Sequence, residues 1–311
     1  FKNGLSRFRF GQLSPLIFAI PVILVIPSVV RGGFWIRVLA QCWISVMLAV
    51  GYDVMAGQVG LVSLGYAAFY AVGAYTYGML ASPQLGIHLP FLLLFPLAGL
   101  LAGGVGAVLS IPTLALRGDY MAMVTLAFGE IVRLLLNTLD VTGGPQGIIS
   151  VDHPGLGFLV LETPRHYYYA LLLLCAVEMW ILRRVEMSRI GRAWRAIRED
   201  EDAARAMGID SYRFKILACA VASVPAGLAG VMFAGLQTFI SPVSFSLAES
   251  VSILAMVVIG GKGNLVGVTL GAVLLTVVAE PLRRFAIGYR LLIYGFLLIA
   301  FSLARPQGIW P

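Results

Sequence analysis

Charge is what this chain has least of. Asp, Glu, Lys and Arg make up 12% of its 311 residues, where soluble domains carry roughly a quarter. A coat that thin cannot keep a globule of this size in water, which argues against a soluble enzyme and against a nucleic-acid-binding domain. Cysteine is scarce as well. Cys42, Cys175 and Cys219 each lie inside an apolar run and form no CxxC pair, so neither a disulfide framework nor a thiolate site is expected. His88, His153 and His166 are scattered over loops and helix ends, and no metal site is expected from them. A phosphate-cradling GxxxxGK[ST] loop is missing too. The nearest string, Gly260-Gly261-Lys262-Gly263-Asn264, lacks that spacing. With no GxSxG elbow and no HExxH pair either, the chain is expected not to be an enzyme and to hold no cofactor. Any active transport would draw its energy from a partner or from an ion gradient.

What the chain does have is apolar length. Hydrophobic residues make up 59% and mean hydropathy is +0.92. A membrane-crossing helix needs about 20 mainly apolar residues. Ten such segments can be drawn, at 13–30, 35–55, 60–80, 90–112, 119–138, 166–183, 213–236, 250–260, 265–281 and 290–304. The expected fold is therefore all-α: a single polytopic transmembrane domain over 1–311 with about ten spanning or partly spanning helices. The 250–260 segment is too short to cross and reads as re-entrant or as half of a broken helix. The run 13–30 follows Lys2, Arg7 and Arg9, contains Pro15, Pro21 and Pro27, and ends without a small-residue cleavage pattern. It reads as a first span rather than a signal peptide.

Orientation comes from the basic residues. Nine of the 22 Lys and Arg fall between Arg183 and Lys215, the signature of a cytoplasmic loop. Counting spans from a cytoplasmic N-terminus puts 139–165 outside, 184–212 inside and the C-terminus inside, so the two clues agree. Arg283 and Arg284 fall outside on this scheme and strain it.

Glycine is abundant, at 35 residues. Gly99 and Gly103, Gly263 and Gly267, and Gly267 and Gly271 stand in GxxxG spacing, which lets helices approach closely in lipid. Other glycines could break helices around a substrate path. Leu48, Ala49, Gly57, Leu64 and Gly65 are echoed 206 residues later by Leu254, Ala255, Gly263, Leu270 and Gly271, a faint internal repeat. The candidate translocation path is Gly57, Gln58, Ser63 and Gly65 at the first Gly-rich interruption, with Thr125, Glu130, Arg133 and Asn137 on the 119–138 span. Glu130 and Arg133, three apart, can neutralise each other as a structural pair or line a polar pathway. Asp53 lies in an apolar run just before the Gly57 break, and Glu178 is expected at the membrane interface beside the basic loop.

Within 184–212, the stretch from Arg192 to Met207 has helical character and Gly208 can end it. A short helix with small alanines and flanking charges, held at the cytoplasmic face, suits the docking of a partner. Glu201 to Gly208, EDAARAMG, resembles the EAA-xxx-G coupling motif of ABC importer permeases. Its frame GRAWRAIREDEDAARAMGID is similar to that of LivM-type permeases of branched-chain amino acid ABC importers. GQVGLVSLGYAAFYAVGAYT (57–76), LRGDYMAMVTLAFGEIVRLLLN (116–137) with TGGPQGI (142–148), the block 241–272, RLLIYGFLLI (290–299) and RPQGIW (305–310) resemble further blocks of that family in the same order.

The resemblance implies a permease subunit in the inner (plasma) membrane of a bacterium. It implies a second, homologous permease beside this chain in the lipid. Two cytoplasmic ATPase subunits using ATP and Mg would bind below, and a periplasmic or extracellular substrate-binding protein would deliver the solute. Glu201, Ala203, Ala204 and Gly208 carry over as the coupling motif; Asp202 stands where the simplest EAA form has alanine. Branched-chain amino acids are the implied substrate. A urea or short-amide permease is the alternative, and an ion-coupled secondary transporter built on Asp53 or Glu130 is a rival of another class.

Overall fold

In hydrocarbon no water satisfies the backbone, so apolar runs must become helices that bond within themselves. The computed structural model describes residues 27, 32–82, 89–113, 119–155, 160–285, 295–296 and 308–309, with the backbone alone for Asp119 and 279–285. These residues are almost entirely helical. Helix α1 (Gly33–Asp53) continues into a π-helical segment, Val54–Val59, that Gly60 ends at φ 82°. Then come α2 (Ala67–Leu80), α3 (Phe91–Thr113), α4 (Asp119–Thr138) and α5 (Pro164–Met187). Two short helices, α6 (Arg189–Glu199) and α7 (Glu201–Ala206), precede α8 (Ser211–Gln237), α9 (Leu247–Gly260) and α10 (Leu265–Phe285). Two-residue strands β1 (Ile148–Ile149) and β2 (Phe239–Ile240) pair antiparallel, Ile148 opposite Ile240.

The polytopic helical fold expected from hydropathy is thus the observed one. Gly33–Val59, Phe91–Thr113, Tyr120–Thr138 and Ser211–Gln237 are long and apolar enough to cross a membrane. The expected spans 13–30 and 290–304 lie outside the described residues, apart from Pro27 and the pair Gly295–Phe296. The expected span 60–80 is corrected: its helix starts only at Ala67. Residues 60–66 are held open by polar contacts. The Tyr52 hydroxyl donates to Ser63 O (3.0 Å) and accepts from Ser63 N (3.2 Å), and Leu64 N donates to Thr125 Oγ1 (3.1 Å). The short α9 has 14 residues, about 21 Å at 1.5 Å per residue, less than the ~30 Å hydrocarbon layer. Its first turn meets that of α2, where Ala67 N donates to Ser250 Oγ (3.0 Å).

Helix α8 is the central post, packed by α1, α2 and α3. Small residues let the backbones close: a Cβ at Gly73 would strike the Gly227 backbone, and one at Gly103 would strike Val224. Helix α4 sits at the rim. Only 6% of its span is buried, against 61% for α8. Helix α5 runs from the β1 end to the α6 end, and α8 returns from α7 to β2. Segments 139–165 and 184–212 therefore occupy opposite ends of the bundle, as the span count requires.

Candidate functional site

Helix α6 is amphipathic. Gly191, Ala193, Trp194 and Ile197 face inward while Arg192, Arg195 and Glu199 face out. Trp194 is fully buried and its indole N–H donates to Phe214 O (2.8 Å), which pins α6 to the start of α8. The single helix expected over 192–207 is corrected to two. Asp200 is extended (φ −157°, ψ 111°), and its Oδ1 accepts from Asp202 N (2.9 Å) and Ala203 N (3.0 Å). An aspartate in that role starts a new helix rather than continuing an old one. Gly208, at φ 86°, closes α7 by donating to Arg205 O (3.0 Å), a conformation that costs residues with a Cβ about 1–2 kcal/mol.

The five coupling candidates divide. Asp202, Ala203 and Gly208 are exposed. Glu201 is fixed between Arg205 (2.7 Å) and Lys215 (2.6 Å), tying α7 to α8. Ala204 turns inward at 4% exposure, so it seats α7 on the bundle instead of leaving room for a partner. Met207, 84% exposed, is the apolar tip of the surface. Sequence reasoning missed it, although an apolar residue closing a charged helix was the available signal.

Behind α6 lie the two glycine breaks. The Arg198 guanidinium donates to Gly57 O inside the π-helical segment. Asp53 is buried, and its Oδ1 accepts from Gly263 N (2.8 Å) in the turn between α9 and α10. Gln58 Nε2 donates to Glu186 Oε1 (2.8 Å) at the end of α5. Gly57 and Gly263 are in contact, and a Cβ at Gly57 would collide with the Asp53 carboxylate and with Gly263 N. Arg198 and Glu186 were not singled out in the sequence; nothing in its spacing separates Arg198 from its basic neighbours.

The path candidates fall into three places. Gly57 and Gln58 belong to the α6 end. Ser63, Gly65 and Thr125 meet in the bundle, lining with Met55, Ser110 and Phe128 a cavity whose room for water centres is about 20 Å³. That holds one or two waters and no amino acid. Gly65 touches Gly129 of α4. Glu130, Arg133 and Asn137 do not reach this cavity. Arg133 Nε donates to both Glu130 oxygens (3.0 Å each). Glu178 departs from its expected interfacial place. Helix α5 continues to Met187, so Glu178 lies inside the bundle, buried, with neither carboxylate oxygen hydrogen-bonded.

The family profile described as "Branched-chain amino acid transport system / permease component" matches residues 34–302. The high-affinity branched-chain amino acid transport system permease protein LivM of Escherichia coli K12 is 41% identical over 305 residues, covering 90% of this chain and 70% of that protein. The high-affinity branched-chain amino acid transport system permease protein LivH of Salmonella typhimurium is 26% identical over 285 residues (85% and 90%). The ribose import permease RbsC of Haemophilus influenzae is 25% identical over 298 residues (88% and 87%). No solved structure matches.

Proposed function

This chain belongs to the family of branched-chain amino acid transport permease components, and on that footing we propose that it forms one half of the membrane pore of an ATP-driven importer in the bacterial inner membrane. The second half is a homologous permease, consistent with its similarity to both LivM and LivH. Two ATPase subunits, with their ATP and Mg, bind the exposed face of α6 and α7. A binding protein delivers the solute at the end carrying β1 and β2. Branched-chain amino acids are the substrate class, carried over from the printed names of these relatives; a urea or short-amide permease is the second reading within this fold. On this reading ATP binding and hydrolysis belong to those partner subunits, in keeping with the missing GxxxxGK[ST] loop.

One observation carries the coupling role. Arg198 on α6 grips Gly57 O, and Asp53, four residues from Gly57, grips Gly263 N. A push on α6 therefore reaches both breaks, one in the helix that begins with α1 and one between α9 and α10. Hydrogen bonds to charged groups contribute about 1.5–3 kcal/mol. A link of that size can bias a two-position element at least tenfold, since 1.4 kcal/mol is a factor of ten. π-helical segments are rare and recur at functional sites, which suits Val54–Val59 to that part.

The test is Arg198→Ala in the reconstituted complex of both permeases, both ATPases and the binding protein. ATP hydrolysis is expected to persist within twofold while amino-acid uptake falls tenfold or more. Unchanged uptake per ATP would sink the coupling reading. An ion-coupled transporter would instead take up substrate without ATP.

A further inference from the structure

Helix α4 turns most of its surface away from the rest of the chain. Its inner side carries Met121, Thr125 and Gly129. Beside that inner side, at its border with the exposed face of the helix, stand Glu130, Arg133 and Asn137, all partly exposed. Spacings of three and four residues place them in one stripe along the helix. At 1.5 Å per residue, Glu130 lies about 15 Å from Tyr120, near the middle of a hydrocarbon layer about 30 Å thick. The Arg133 and Glu130 side chains keep 28% and 41% of their surface. Among the described residues no third group hydrogen-bonds either one. Ionised side chains at that depth face protein or water, not lipid.

We propose that this stripe is the substrate-contacting face of the translocation path, where Arg133 takes the α-carboxylate and Glu130 the α-ammonium of an amino-acid zwitterion in transit. The inference rests on the transport reading and adds a site to it. Every branched-chain amino acid presents the same two charges, whatever its side chain. The planar guanidinium fork matches a carboxylate, and Glu130 supplies the acceptor for an ammonium. With the path empty the two residues neutralise each other. An arriving zwitterion exchanges one ion pair for two and brings no net charge into the membrane. Such an exchange keeps binding weak enough for release, as conduction requires. Met123 and Leu134, exposed beside the stripe, offer apolar surface to the aliphatic side chain. The homologous permease closes the path from the other side.

The complete importer in proteoliposomes tests this with leucine. Glu130→Gln, Arg133→Gln and the double variant should each lower uptake tenfold or more, while ATP hydrolysis stimulated by loaded binding protein stays within twofold and reports intact assembly. If the pair only neutralises itself, the double variant leaves no unpaired charge; its uptake within twofold of wild type overturns the proposal. A second readout does not depend on substrate. A membrane-impermeant methanethiosulfonate should label Asn137→Cys at least tenfold faster than Leu135→Cys on the flank of α4. Equal labelling overturns the proposal, because a lipid-covered or tightly packed stripe is dry. If the wild-type complex imports no branched-chain amino acid, the transport reading falls, and thiol labelling still decides whether the stripe is wet.

Discussion

Gly73 and Gly104 are the same residue in opposite situations. A Cβ at Gly73 meets the backbone of Gly227, whereas one at Gly104 meets nothing within 4 Å. Adding a methyl group at the first pushes α2 from α8, an overpacking that costs about 1–3 kcal/mol. At the second it only removes the extra freedom of glycine in a helix, worth about 0.5–1 kcal/mol. Gly73→Ala is therefore expected to lower the melting temperature of the detergent-purified chain by several degrees, and Gly104→Ala to leave it unchanged or raise it. A Gly73→Ala protein as stable as wild type would refute the close packing of α2 on α8. The GxxxG pair Gly99 and Gly103 was legible as a packing motif, and both residues do face α8. Gly104 stands outside that spacing, and the side of α3 that it faces leaves it open space.

The basic loop repeats this lesson for whole elements. That this loop folds as helix was legible from Trp194, Ile197 and the closing glycine. The break at Asp200 was not drawn, although an aspartate ahead of Glu201-Asp202-Ala203 carries the start signal of a helix. Asp200→Ala removes a cap worth about 1 kcal/mol. Faster amide hydrogen exchange confined to 201–206 is expected, with α6 still protected by Trp194; equal exchange in both helices would contradict two separate elements. Gly208→Val adds the left-handed strain at the other end of α7 and should lower ATP-linked uptake without preventing membrane insertion. Ala204→Arg acts differently: it lifts α7 from the bundle, since Ala204 is buried. The short α2 and α9 were only half legible. Their apolar runs are plain, but the polar contacts that stop residues 60–66 from becoming helix join Tyr52, Thr125 and the backbone across the fold, and no window of sequence contains them together.

At the scale of the whole molecule, the faint repeat of 206 residues acquires a physical meaning. It equates Gly57 with Gly263, and these two residues touch. Positions equated by a repeat meet each other only near the axis relating its copies, so the break in the first half is seated on the break in the second. Asp53 is the clamp. Asp53→Asn keeps an acceptor for Gly263 N and is expected to hold most of the stability, whereas Asp53→Ala frees the α9–α10 turn and should lower the melting temperature by several degrees. Identical melting of the two variants would remove Asp53 from that role.

The clamp also sets an order of events at birth. Asp53 and Gly263 are 210 residues apart, and at about 5–20 residues per second the ribosome supplies the second roughly 10–40 s after the first. Through that interval α1 has entered the membrane carrying a carboxylate that has not met its partner. Final seating of α1 must wait for the α9–α10 turn to be made, and a chain halted before Gly263 exposes an unmatched acid to quality-control proteases.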